Sequence, residues 1–294
     1  MALNIATPQR SGVLPADTTL GPAHLQVADL DRSVAFYTET LGFRLLERVG
    51  DTATLGAGDT PWLLLTQPEG AQPRPPRTTG LYHVAILTPS RAALARSLRR
   101  LVEQRYPLSG ASDHLVSEAL YLDDPDGNGL EIYRDRPRAE WYDAEGNFQM
   151  GTLPLDVQAL LAEGLADERP WDGLEPATRV GHMHVQVADL GAAVDFYAGV
   201  LGFDVMLASE RMGAAFVSAG GYHHHLGINT WGTRGAPAAA QSAVGLRRFD
   251  VVLPDAAALA AVTERLRAAG VAFETDGGAV IARDPSGNAV RLRQ

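Results

Sequence analysis

The sequence predicts an α+β protein built from four βαβββ modules. Three observations predict it: a gapless internal repeat, a second and weaker repeat, and the strand-turn-helix pattern that opens each module. The first repeat sets GPAHLQVADLDRSVAFYTETLGF, from Gly21, against GHMHVQVADLGAAVDFYAGVLGF, from Gly181, at an offset of 160 residues. It pairs His24 with His184, Asp29 with Asp189, Phe36-Tyr37 with Phe196-Tyr197, and Leu41-Gly42-Phe43 with Leu201-Gly202-Phe203. The second sets LYHVAILTPSRAALARSLRRL, from Leu81, against LRRFDVVLPDAAALAAVTERL, from Leu246, and DDPDGNGLEIY, from Asp123, against RDPSGNAVRLR, from Arg283. Such self-similarity marks duplicated structural units, here spanning roughly 20–67, 80–134, 180–231 and 244–293.

Each module opens on a short alternating apolar run, such as His24-Leu25-Gln26-Val27 or His83-Val84-Ala85-Ile86. That period of two is the mark of a half-buried strand. A turn and a helix follow. In the first module Asp31 or Ser33 is placed to cap the helix, Val34, Phe36, Tyr37 and Leu41 form its apolar side, and Gly42 ends it. Three short strands, separated by Gly, Asp and Pro turns, complete the module. The Pro-rich segment TQPEGAQPRPPRTTG reads as an extended connector between modules one and two. A helix over 155–165 and the polar stretch DERPWDGLEP join the halves. The expected division is an N-terminal extension over 1–19, a first domain over 20–134, a connector over 135–179 and a second domain over 180–294.

A chain of 294 residues, 46% hydrophobic and 20% charged, is long and apolar enough for two sizeable cores. Its formal charge of −10 disfavours nucleic acid or an anionic membrane as partner. All 25 basic residues are arginine, which excludes lysine Schiff-base chemistry. Cysteine is absent, so disulfides, thiolate nucleophiles and thiolate metal sites are excluded. Any metal must be held by imidazole and carboxylate, a set that suits iron, manganese or zinc. The first residues lack a basic region followed by an apolar one, and no apolar run approaches a membrane span; a cytoplasmic protein is expected.

Four such modules resemble the vicinal-oxygen-chelate superfamily, which includes glyoxalase I, extradiol ring-cleavage dioxygenases and fosfomycin-resistance proteins. The resemblance covers nearly the whole chain from residue 20 and implies two half-open β-barrel domains. It also implies one divalent metal in the N-terminal half, held by His24, His83 and Glu131. Two imidazoles and a carboxylate on one face of an ion leave positions open for substrate and dioxygen. The run DHLVSEALYLDDPDGNGLE resembles the extradiol signature through His114, Leu120-Tyr121, Asp124-Pro125-Asp126-Gly127 and Glu131, with Ser112 departing from the usual residue choice. A turn at Pro-Asp-Gly reverses the chain and places Tyr121 and Glu131 on paired strands. The resemblance implies catalytic roles for both remaining residues: Tyr121 hydrogen-bonding a chelated substrate, His114 donating at the rim.

Two features depart from relatives. The strand PWLLLTQ offers neither the second glutamate of glyoxalase I nor the acid–base histidine of two-domain extradiol enzymes. In the second half, Arg248 and Arg291 stand where His83 and Glu131 do, and guanidiniums repel a metal. That half still carries GGYHHHLGINTW, in which a strand would set His223 and His225 on one face and His224 on the other. Arg247, Arg248 and Arg291 read as solvated strand ends, or else as anion ligands. The expected activity is iron(II)-dependent extradiol cleavage of a small catechol-type aromatic with dioxygen. Manganese or zinc with lyase or transferase chemistry, and non-catalytic binding of a small molecule, are the alternatives. An exposed sheet edge makes a homo-oligomer plausible.

Overall fold

Ala23 and Leu25 are fully buried, while His24 between them is only half-buried. This is the alternation of a strand with one face on a core. The strand is β1 (Thr19–Gln26). The computed structural model describes residues 3–4 and 13–294; the rest of the expected N-terminal extension lies outside the described residues. Two compact units result, the first formed by 27–68 and 83–180 and the second by 13–26, 69–82 and 181–294. The class is α+β. None of the sheet segments described below closes into a barrel.

In the first unit, α1 (Leu30–Ala35) runs on into a wider π turn over Phe36–Thr40. Its cap is Asp29, not Asp31 or Ser33: Asp29 is extended and its carboxylate accepts the Arg32 amide at 2.9 Å. Only a residue with non-helical backbone can aim its side chain at the free amides of the first turn. Gly42 ends the turn at φ +88, where a Cβ would meet Trp171 Cζ2 at 2.5 Å. The meander β2 (Arg44–Val49), β3 (Thr52–Ala57) and β4 (Thr60–Thr66) follows.

The same unit holds β5 (Gly80–Leu87, from His83 onward), α2 (Arg91–Glu103), β6 (Gly110–Asp113), β7 (Ser117–Asp123) and β8 (Gly129–Asp135). β5 runs parallel to β8, and β8, β7 and β6 are successively antiparallel. The segment read as a connector is part of this unit: Trp141 and Phe148 are buried in it, and α3 (Val157–Ala166) packs against α2. Gly164 permits that approach, since a Cβ there would lie 2.3 Å from the Ala95 carbonyl.

The second unit begins with β9 (Arg179–Gln186), α4 (Leu190–Val194), β10 (Asp204–Ser209), β11 (Ala214–Ser218) and β12 (Leu226–Asn229). It ends with β13 (Gly245–Val252), α5 (Ala256–Ala268), β14 (Phe273–Asp276), β15 (Ala279–Arg283) and β16 (Ala289–Arg293). Its strands run β9-β12-β11-β10 and β14-β15-β16-β13-β1. β1, the opening strand of module one, thus pairs antiparallel with the opening strand of module four, with His24 opposite Arg248. Among the described residues, no helix is long and apolar enough to cross a membrane.

Candidate active site

Strand register in the first unit sets three polar side chains on one sheet face. Glu131 on β8 is directly opposite Tyr121 on β7 and level with Ala85 on β5. The period of two then puts His83, Ala85 and Leu87 on the face that carries Glu131, Tyr133, Tyr121 and Ala119. The apolar members of this face, Ala85, Leu87, Ala119 and Tyr133, form one buried cluster, with Tyr121 packed against it. They leave His83 and Glu131 at its polar end.

His83 and Glu131 are 6% and 2% exposed, and His83 Nε2 lies 3.0 Å from Glu131 Oε2. Burying a carboxylate costs several kcal/mol unless it meets a proton donor or a cation. Two ligand atoms each about 2.1 Å from one ion, and at right angles around it, stand roughly 3.0 Å apart. The pair therefore fits two adjacent positions on a metal without rearrangement.

Tyr121 stands beside this pair, its ring 5.8 Å from that of His83. Its phenol oxygen is 2.6 Å from His114 Nε2, and His114 Nδ1 is 2.6 Å from the Gly151 carbonyl. A carbonyl only accepts, so His114 donates to it through Nδ1, and in that tautomer Nε2 is the acceptor that meets the Tyr121 hydroxyl. The His114 loop is held firmly. Its amide donates to the Ser117 carbonyl at 2.8 Å, and Leu115 sits at φ +69, a left-handed conformation uncommon outside glycine. The Leu115 amide donates to Asp113 Oδ1 there, a local bond that helps hold the conformation.

The structure thus brings together His83 and Glu131, and Tyr121 and His114. His24, the remaining predicted ligand, belongs to the second unit. Burial, followed by the charges of Arg248 and Arg247, pushes its pKa down from 6.5 to about 4. Sequence reasoning missed Gly151, because its segment reads as a linker and carries no motif.

In the second unit, Arg291 donates to buried Asp250 at 3.1 Å, as Arg293 does at 2.8 Å. Arg291 is accordingly a paired side chain, not a solvated strand end. His223, His224 and His225 precede β12 in a turn, so the expected two-faced strand arrangement does not occur. His225 Nδ1 accepts the Ala219 amide at 3.2 Å, and His223 and His224 approach through their Nδ1 atoms at 2.8 Å. His184 accepts from the Asn229 side-chain amide at 2.9 Å and packs edge-on against Tyr82 and Phe216. Gly227 makes room for it: a Cβ would meet the imidazole at 2.8 Å. His182 on β9 is buried, with the His224 ring 4.1 Å away.

The family described as the glyoxalase/bleomycin resistance protein/dioxygenase superfamily matches residues 19–132 and 179–292. A protein of Bacillus subtilis (strain 168) named Catechol-2,3-dioxygenase is 45% identical over 272 residues, covering 92% of this chain and 94% of its own. A solved structure from Bacillus subtilis subsp. subtilis str. 168 superposes with a TM-score of 0.65 at 14% identity, over 95% of this chain and 86% of its own. Glyoxalase I from Zea mays does so with a TM-score of 0.58 at 18% identity, over 94% and 92%. At such identities these two show the fold. With the family matched in both halves and a relative alike over nearly its whole length, the chain belongs to the glyoxalase/bleomycin resistance protein/dioxygenase superfamily.

Proposed function

We propose that the protein is an extradiol ring-cleavage dioxygenase acting on a catechol-type aromatic, with iron(II) held by His83, Glu131 and one further imidazole. One observation carries the reading: the buried 3.0 Å His83–Glu131 pair has beside it a tyrosine already hydrogen-bonded to a histidine. The relative named Catechol-2,3-dioxygenase, 45% identical, supports the same reaction class. His24 is the third ligand that the repeat suggests.

Bound iron supplies a Lewis-acidic template for the two catechol oxygens and a path for electrons to dioxygen. The chain's own residues manage the proton. Tyr121 Oη keeps a lone pair toward the substrate while its hydrogen points to His114 Nε2. A catechol hydroxyl donates its proton to Tyr121 Oη as Tyr121 passes its own to His114. The resulting imidazolium stays held by the Gly151 carbonyl. Apolar Ala85, Leu87 and Tyr133 keep water from this side of the sheet, which strengthens each charged contact.

Anaerobic reconstitution with iron(II), then air and a panel of catechols, is expected to yield a yellow ring-fission product. Glu131→Gln should abolish both iron retention and colour. His24→Ala should lose iron as well; full iron retention in that variant would remove His24 as a ligand. Absence of turnover with every catechol would remove the dioxygenase reading while leaving the metal pair intact.

A further inference from the structure

The second unit contains an open-sided cleft with a cavity volume of about 70 Å³. Three arginines, Arg74, Arg247 and Arg283, are among the residues that line it, and no aspartate or glutamate is. In a chain of net charge −10 such a concentration of positive charge needs a reason. Structural ion pairing does not supply one. Arg74 donates to the carbonyls of Leu81 and Thr78, to Gln186 Oε1 and to Thr78 Oγ1, all neutral acceptors. Arg283 donates to the Gly287 carbonyl. Arg247 is paired with no carboxylate among the described residues. The contrast lies on the neighbouring strand, where Arg291 and Arg293 share buried Asp250.

Arg74 is also held in place before any ligand arrives. Beside its guanidinium the chain turns at Gly80, whose φ of +144 favours glycine. The opposite wall is the loop 238–243, tied down by backbone. Thr79 N donates to Pro237 O at 3.0 Å and Val244 N to Gln72 O at 2.8 Å. Gln26 Nε2 reaches the carbonyls of Gln241 and Ala243 at 2.8 and 3.2 Å. The rest of the lining is mixed: alanine and leucine side chains, with Ser286 and Asn288 beside them. Arg74 keeps one Nη1 proton beyond its four bonds; the uncompensated arginine charge suits a carboxylate, and small apolar walls match a short carbon chain.

We propose that this cleft is a binding site for a small organic carboxylate, drawn in by the charges of Arg74, Arg247 and Arg283. The inference is independent of the metal site and of the reaction assigned to it.

Isothermal titration of the full-length protein with sodium butyrate, and separately with inorganic phosphate, tests it. Butyrate should bind saturably, and Arg247→Gln should weaken it at least tenfold. Ala240→Glu, an exposed wall position carrying a new negative charge into the cleft, should weaken it as much and gives a second variant should Arg247→Gln fold poorly. Glu131→Gln should bind butyrate like the parent, which separates this result from any failure of the metal reading. No saturable butyrate heat, or undiminished binding in Ala240→Glu, overturns the site. Phosphate binding more tightly than butyrate overturns the carboxylate assignment.

Discussion

At the scale of single residues, two groups make opposite demands on a proton. Tyr121 and His114, 2.6 Å apart, are the pair that moves one under the proposed reaction. A positioned acid–base group contributes roughly 10²–10⁴ in rate. Tyr121→Phe should therefore lower kcat/KM by about that factor while metal content stays constant; unchanged kcat/KM would remove the relay. His24, by contrast, is arranged not to take a proton. Its folded pKa is about 4 against 6.5 in the unfolded chain, through burial first and then Arg248 and Arg247. Below pH 6.5 the unfolded chain binds a proton that the folded chain refuses, so stability is full above that pH and falls toward pH 4. The loss is at most about 3 kcal/mol. Denaturant melts of metal-free protein at pH 7 and pH 4.5 should show His24→Asn losing less stability than the parent over this interval. Equal losses would place the two arginine charges elsewhere.

At the scale of elements, the chain uses one device twice. Tyr37, in the π turn after α1, donates to Asp124 Oδ2 at 3.0 Å, and Tyr197 donates to Asp284 at 3.1 Å. Each aspartate opens an Asp-Pro-x-Gly-Asn turn and accepts three further bonds from it: the amides of Asp126 and Asn128 with Asn128 Nδ2, and those of Ser286 and Asn288 with Asn288 Nδ2. The motif that reads as an enzyme signature therefore also serves packing, since it recurs around Arg291, where no metal ligand follows. Burial raises both phenol pKa values well above 10, so each tyrosine remains a donor throughout the working pH range. Removing either hydroxyl leaves a buried carboxylate short of one donor, which costs about 1–3 kcal/mol. Tyr37→Phe and Tyr197→Phe should each lower the urea midpoint accordingly. Only Tyr37→Phe should also affect the reaction, because Asp124 anchors the turn that aligns Tyr121 with Glu131.

At the scale of the whole molecule, what was legible in the sequence is what local rules determine. The four modules announce themselves because duplicated segments keep the same turns and caps. The opposition of Tyr121 and Glu131 follows from a turn only a few residues long. The partner of β1 was not legible: a repeat tells which segments are alike, and says nothing of which will pair. Pairing with β13, some two hundred residues along, places His24 opposite Arg248. Gly151 was hidden for a related reason, in a stretch whose burial depends on the whole first unit. The metal reading depends on such non-local assembly too. His83 and Glu131 come from separate strands and face each other only in the folded chain, so an ion bound by them stabilises the native state over the unfolded one. At 100 times its Kd the ion adds about 2.7 kcal/mol. Chelation should therefore lower the Tm of the parent protein by several degrees, and added iron(II) or manganese(II) should restore it. Glu131→Gln should respond to neither. A parent whose Tm ignores chelator and metal alike would mean that the buried pair at 3.0 Å shares a proton in place of an ion.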